Sequence, residues 1–328
     1  MSWEISHGPV SFRSLQEEDI WYQFTWFFYK SKKTQTYKFG LLKALLENLY
    51  NTDYHLELTY NQIGYAFVKT YWNLVVRHGL KQGNQNSGVA GAIVKAQQEK
   101  QIPVTLSFDQ LQMNDQIYVL EKAGPVMKKY VFGALYSDFE GKLYGFDRRK
   151  HSEYFRFHPE AHIFLLKYQR LITDLVNYHL AKMIEQYNPV SKDFLLEKVE
   201  SIAQRESLSP YREILLSRFE NQCFYCGKAL NTSNAQTHVD HFIPWSLVQS
   251  DNIWNLVLSC RTCNLNKSDK VPENYYLDQL VERNEYLKVE EALIHEDRSL
   301  YNYHSEKLKL LYQYSEQNGF EERWSPGR

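Results

Sequence analysis

Cysteine occurs four times in this 328-residue chain, as Cys223, Cys226, Cys260 and Cys263. Each pair encloses two residues, and a Cys-x-x-Cys turn lets both sulfurs face one point. The two knuckles can therefore present four thiolates tetrahedrally to a single Zn2+. Because every thiol lies between residues 223 and 263, a disulfide framework is disfavoured and a reducing compartment favoured. A redox Cys-x-x-Cys is ordinarily one pair beside a βαβ pattern, not two pairs bracketing one segment. The bracketed stretch is too short for a hydrophobic core of its own, so a structural zinc is expected to hold it together.

The rest of the chain is long enough to need no such help. With 43% apolar residues and 15% aromatics, it can bury a substantial core and suits two or three domains. Its 38 basic and 39 acidic side chains give a formal charge of −1. That balance excludes a polycationic nucleic-acid coater, so any such affinity must come from a local surface, a bound metal or a partner. Met1 to Val10 includes Glu4 and lacks a long apolar run, and the aromatic cluster from Ile20 to Tyr29 is too short to cross a bilayer. A cytoplasmic protein with no membrane partner is expected.

Periodicity divides the chain into three parts. From about residue 12 to 188 the pattern is mostly helical. One apolar face is formed by Phe39, Leu42, Leu45, Leu46 and Leu49, another by Ile63, Phe67, Tyr71, Leu74 and Val75. Gly83 to Gly88 reads as a loop. Between Val104 and Phe157 the helical period falters, and Tyr118 to Leu120 and Tyr130 to Tyr136 suggest short strands. A long helix is expected from Glu160 to Tyr187, stopped by Asn188 and Pro189. The run Ser207, Leu208, Ser209, Pro210 suits a helix start, with a helix over Tyr211 to Glu220. After Pro272 the pattern returns to charged amphipathic helices. Two basic clusters, Lys30, Lys32, Lys33 and Lys38, and Arg148, Arg149, Lys150 and His151, sit beside aromatic residues. They read either as phosphate contacts with stacking rings or as solvated loops. Tyr71 and Trp72 read as core rather than as a base-stacking platform.

Between the knuckles runs His238, Val239, Asp240, His241, Phe242, Ile243, Pro244. Val239, Phe242 and Ile243 make a short apolar strand that Pro244 ends. Asp240 and His241 therefore sit where a strand meets a loop, and adjacent strand residues can reach one site only where the backbone bends. A carboxylate beside an imidazole there suits a hard metal plus a base. His238 reads as a third metal contact or as a solvent-facing strand residue. Asn255 precedes a partner strand, Leu256 to Ser259, and the residues from Cys260 onward read as a helix ending near Lys270. Trp245 and Trp254 are expected under the intervening loop, and Arg261 either touches phosphate or is solvated.

On these residues, the segment from Cys223 to Lys270 resembles the HNH endonuclease family and its ββα-metal fold. It is most similar to the cysteine-bearing McrA-type branch, and the spacing from Val239 to Ser268 is similar to the HNH domain of RNA-guided CRISPR effector nucleases. The resemblance implies Asp240 and Asn264 as ligands of a catalytic metal, His241 as general base and Asn255 as the asparagine that fixes the loop. It places Lys267 near the scissile phosphate. Asn264 stands where many members carry a final histidine. An amide oxygen with a carboxylate favours Mg2+, with Mn2+ as the alternative.

The expected fold class is α+β. Residues 1–205 would form a mostly helical recognition or docking domain, residues 206–275 a zinc-stapled nuclease domain and residues 276–328 a C-terminal helical extension. The expected activity is Mg2+-dependent hydrolysis of DNA, with the imidazole, whose ordinary pKa lies near ~6.5, taking a proton from water. The resemblance implies 5′-phosphate and 3′-hydroxyl products. Family context suggests anti-phage defence or restriction, beside an ATPase or sensor partner. A mobile-element or homing nuclease and a non-catalytic zinc-ribbon binding module are the alternatives.

Overall fold

The computed structural model describes residues 4–83, 88–188, 208–231, 237–248, 250–289, 298–301 and 303–327. Part of the loop expected at Gly83 to Gly88, the helix stop at Pro189, the domain boundary at 205, Ser207 and the terminal Arg328 lie outside these residues. The chain divides into two compact units. One is Met1–Leu165 with Leu171–Ile202, the other Leu166–Arg170 with Ala203–Arg328.

The first unit is mainly helical, and its elements follow the order β1 (His7–Gly8), α1 (Glu17–Tyr29), α2 (Tyr37–Glu47), α3 (Tyr60–Trp72), α4 (Val89–Lys100), α5 (Met113–Tyr130), α6 (Phe132–Phe139), β2 (Tyr144–Asp147), β3 (Tyr154–Phe157), α7 (Pro159–Lys167) and α8 (Gln169–Tyr187). Helix α2 is buried nearly all round, which is what a central helix requires, and Leu41, Leu42, Ala44 and Leu45 are fully enclosed. Helix α3 begins with a capping box in which Thr59 and Gln62 satisfy each other's main-chain N–H groups. It ends in a π-helical turn over Asn73–Arg77. The wider turn shifts the register, so Leu74 and Val76 go inside and Val75, expected in the core, is left half-buried. Strands β1, β2 and β3 form an antiparallel sheet in that order.

Three expectations are corrected here. Tyr118 to Leu120 and Tyr130 to Tyr136 are helical, within α5 and α6, and the strands of this region are β2 and β3. In α5 the buried positions Val119, Ala123 and Met127 recur every four residues, and this spaced stripe prevails over the local aromatic and β-branched composition. The single helix expected from Glu160 to Tyr187 is two, α7 and α8, separated at Tyr168. No Gly or Pro marks that break, so the periodicity runs through it. The basic cluster near Lys30 is partly internal. Lys38 is buried and pairs with Asp138 at 2.7 Å. The Lys33 ammonium bonds the Phe27 carbonyl and lies 4.6 Å from the Phe27 ring centroid. Burial pulls the Lys33 pKa down to about 8. In the second cluster Arg149 is tied to the Asp147 carboxylate at 2.6 Å, while Lys150 and His151 are exposed.

The second unit carries α9 (Ser209–Arg218), β4 (Thr237–His241), α10 (Trp245–Val248), β5 (Leu256–Cys260), α11 (Arg261–Lys267), β6 (Val271–Pro272), α12 (Asn274–Val289), α13 (Ser305–Tyr314) and β7 (Arg323–Trp324). Pro210 lies in the first turn of α9, where its missing N–H costs no hydrogen bond. Strands β4 and β5 pair antiparallel, with Thr237 opposite Cys260 and His241 opposite Leu256, and α11 follows β5 directly. The two strands and the helix are the ββα arrangement. The parallel pair β6–β7 brings residues 323–324 beside residues 271–272. Leu277, Leu280 and Leu287 of α12 and Leu308 and Leu311 of α13 are buried. The α+β class is as the sequence predicts. No helix of the described residues is long and apolar enough to cross a membrane.

Candidate active site

The knuckles come together as their spacing demands. The Sγ atoms of Cys223, Cys226, Cys260 and Cys263 all lie within 4.8 Å of one another. Those of Cys226 and Cys260 are 3.9 Å apart, against ~3.8 Å for two sulfurs at tetrahedral positions on Zn2+ with bonds of about 2.3 Å. The first knuckle is shaped by main-chain bonds from Cys223 N–H to Lys228 O and from Gly227 N–H to Cys223 O, with Gly227 at a left-handed φ of +68°. Phe224 N–H donates to Leu258 O and so fastens the knuckle to β5. The second knuckle caps α11, where Cys263 N–H donates to Cys260 Sγ at 3.4 Å. Burial pushes the Cys223 and Cys263 thiols up. Burial also acts on Cys260, but hydrogen bonds led by those from Cys263 outweigh it and pull that thiol down. Three of the four sulfurs are buried and Cys226 is exposed, and the donors and distances fit one Zn2+, which would hold the thiols as thiolates.

Beside this centre, Asp240, His241 and Asn264 line one cavity of about 240 Å³, together with Val239, Pro244, Trp245 and Ser268. Asp240 and His241 end β4, where Pro244 turns the chain, and Asn264 comes from α11. The Asp240 carboxylate is held through one oxygen: Tyr225 Oη donates to Oδ2 at 2.6 Å and Lys267 Nζ lies 3.1 Å from the same atom. Burial foremost, then the Asp240 charge, raises the Tyr225 pKa far above its ordinary value, so the phenol stays a donor. The carboxylate of Asp240 and the amide oxygen of Asn264, both on the cavity lining, are hard oxygen donors of the kind a divalent cation takes. The imidazole of His241 is 2.6 Å from Asp251 Oδ1 through Nε2. In the tautomer that donates from Nε2–H to that carboxylate, the lone pair is on Nδ1.

Asn255 is fully buried. Its Nδ2 donates to Ile243 O and its Oδ1 accepts from Ile243 N–H, both at 2.9 Å, while Phe242 N–H donates to Asn255 O at 2.8 Å. Three bonds thus lock the turn after His241 to the start of β5. Lys267 is placed differently from the expectation. It is fully buried, and its ammonium donates to His241 O at 2.7 Å as well as facing Asp240, so it supports the ends of β4 instead of presenting itself to a phosphate. His238 does not line the cavity. It is half-buried rather than facing solvent, with Nε2 enclosed and without a partner among the described residues. Trp254 is buried, Trp245 half-buried and Arg261 exposed.

Two residues of the site escape a reading of the sequence. Tyr225 sits inside the first knuckle, where spacing marks only the cysteines. Asp251 lies in a polar loop, and nothing local links it to His241. Residues 223–273 match the family described as HNH endonuclease. Comparisons with curated proteins and with solved structures give no match.

Proposed function

We propose that this protein is a Mg2+-dependent DNA endonuclease whose cleaving site is the cavity at the end of β4. The observation that carries the proposal is the convergence of Asp240, His241 and Asn264 on that one cavity, inside the segment that matches the HNH endonucleases. His241, aimed by Asp251, takes a proton at Nδ1 from a water molecule as its oxygen attacks phosphorus. The bond to the 3′ oxygen breaks, and that oxygen takes a proton from solvent, leaving a 5′-phosphate and a 3′-hydroxyl. Asp240 and Asn264 would hold the divalent cation, which supplies charge neutralisation to the phosphate and the leaving oxygen. Asn255 keeps the turn after His241 in place, and Lys267 fixes the carboxylate of Asp240 and the carbonyl of His241.

Zn2+ on the four cysteines has a structural part in this reading. Residues 1–205 serve as a recognition or docking domain, in keeping with a chain whose charge of −1 provides little general attraction to DNA. A restriction or anti-phage setting with a sensor or ATPase partner suits that division of labour.

The test is cleavage of plasmid DNA by purified full-length protein with Mg2+. The His241→Ala variant should lose cleavage by about 100-fold or more, the usual scale for a general base, while retaining its zinc and its DNA affinity. Cleavage by that variant at the rate of the parent protein would remove His241 from the mechanism and the reading with it.

A further inference from the structure

Helix α12 begins at Asn274, just past the segment that matches the family, yet it reaches back to the loop carrying Asn255. The guanidinium of Arg283 donates to Ile253 O at 3.1 Å and Trp254 O at 3.3 Å, and also to Leu256 O. Asn284 adds a bond from Nδ2 to Trp254 O at 2.7 Å, and its Oδ1 accepts from Arg283 Nε at 3.1 Å. The carbonyls on both sides of Asn255 are therefore gripped from one helix.

The chemistry of this grip is unusual. Among the described residues no carboxylate pairs with Arg283, and burial pulls its pKa down to about 9, which leaves it a cation at neutral pH. Among the described residues its charge is met by main-chain carbonyls, the Asn284 amide oxygen and the Phe219 ring, 5.9 Å from the guanidinium carbon, through charge-assisted bonds in the planar fork that only arginine provides. Arg283 is half-buried, and its guanidinium nitrogens are directed at main-chain carbonyls and the Asn284 amide rather than into the cavity. What it can do is fix the main chain of residues 253–256. That segment presents Asn255 to Ile243, and it begins two residues after Asp251, whose carboxylate meets the His241 imidazole.

We infer that Arg283, with Asn284, is a positioning residue for the His241 turn, so that α12 belongs to the catalytic apparatus. The inference rests on the proposed nuclease reading. It acts through two links, from the guanidinium to the 253–256 carbonyls and from Asn255 to Ile243.

The test uses the full-length, zinc-loaded protein with supercoiled plasmid DNA and Mg2+, and compares Arg283→Gln, Arg283→Lys and Asn284→Ala. Arg283→Gln should lower kcat on the order of 10- to 100-fold, the effect of misplacing a reacting group by about an ångström, with KM for the plasmid and zinc content unchanged. Arg283→Lys should recover part of the loss, because it keeps the charge but not the fork. Amide hydrogen exchange at Phe242 and Ile243, whose acceptors belong to Asn255, should quicken in each variant. Unchanged kcat in folded, zinc-loaded variants would overturn the inference, as would kcat and KM moving together. If Arg283→Gln does not fold, Asn284→Ala decides alone, since it removes the Trp254 bond and leaves the guanidinium. Failure of the parent protein to cut plasmid would overturn the nuclease reading instead. The exchange rates would still show whether Arg283 holds the turn, and unchanged exchange would overturn that.

Discussion

At the residue scale, Tyr225 is the side chain through which the cysteine centre and the cavity meet. It stands between Cys223 and Cys226 in sequence, and its hydroxyl holds Asp240 Oδ2 at 2.6 Å. The ring itself is packed edge-on against Trp324 at 5.0 Å and Tyr276 at 5.7 Å. Tyr225→Phe keeps this packing and deletes one hydrogen bond to a carboxylate, worth about 1.5–3 kcal/mol. The variant should keep its zinc, yet bind Mn2+, used as a probe for the cavity, about tenfold or more weakly, because the carboxylate is then aimed by Lys267 alone. Titration by electron paramagnetic resonance would measure this, and an unchanged Mn2+ affinity would separate Tyr225 from the site.

At the scale of elements, two different devices hold the structure. In the first unit, α2 and α6 are joined by the Lys38–Asp138 pair, in which each side chain is 7% exposed. Asp138→Ala leaves the ammonium uncompensated inside and should cost about 3–5 kcal/mol in chemical denaturation; a loss under 1 kcal/mol would mean water reaches Lys38. In the second unit the β4–β5 hairpin and α11 depend on the cysteines. Metal analysis should find about one Zn2+ per chain. Stripping it with a strong chelator should unfold residues 208–328 while the helices of the first unit persist, as circular dichroism would register. A folded, unoxidised and zinc-free protein would contradict this. The elements were unequally legible in the sequence. The cysteines, Asp240, His241 and the β4 and β5 strands could be read because their meaning lies in short-range spacing. So could α2, whose apolar positions recur along one face. Helix α5 could not, since its Tyr118–Leu120 run looks like a strand until Val119, Ala123 and Met127 are seen buried together. Asp251 and Arg283 could not either, because each acts on a residue brought near only by the fold. Lys267 was found, but its burial follows from tertiary packing that a motif does not encode.

For the whole molecule, the question is what a small cleaving unit gains from so long a partner region. Non-specific DNA affinity rises with the number of phosphate contacts, and a chain of net charge −1 has few to offer. The isolated fragment 203–328 should therefore keep its zinc but lose the selectivity of the full chain, cutting plasmids that the intact protein spares or cutting none. Equal rates on the same substrates for fragment and full chain would mean that residues 1–202 do not govern targeting. The β6–β7 pair adds a matter of timing. Trp324, which backs the ring of Tyr225, is translated well after Asp240, His241 and the cysteines. Chains grow at roughly 5–20 residues per second and fold from the N-terminus. A nascent chain would thus carry Asp240, His241 and the four cysteines for some seconds before Trp324 could back Tyr225, the donor to the Asp240 carboxylate, so this part of the fold closes only when the last strand is made.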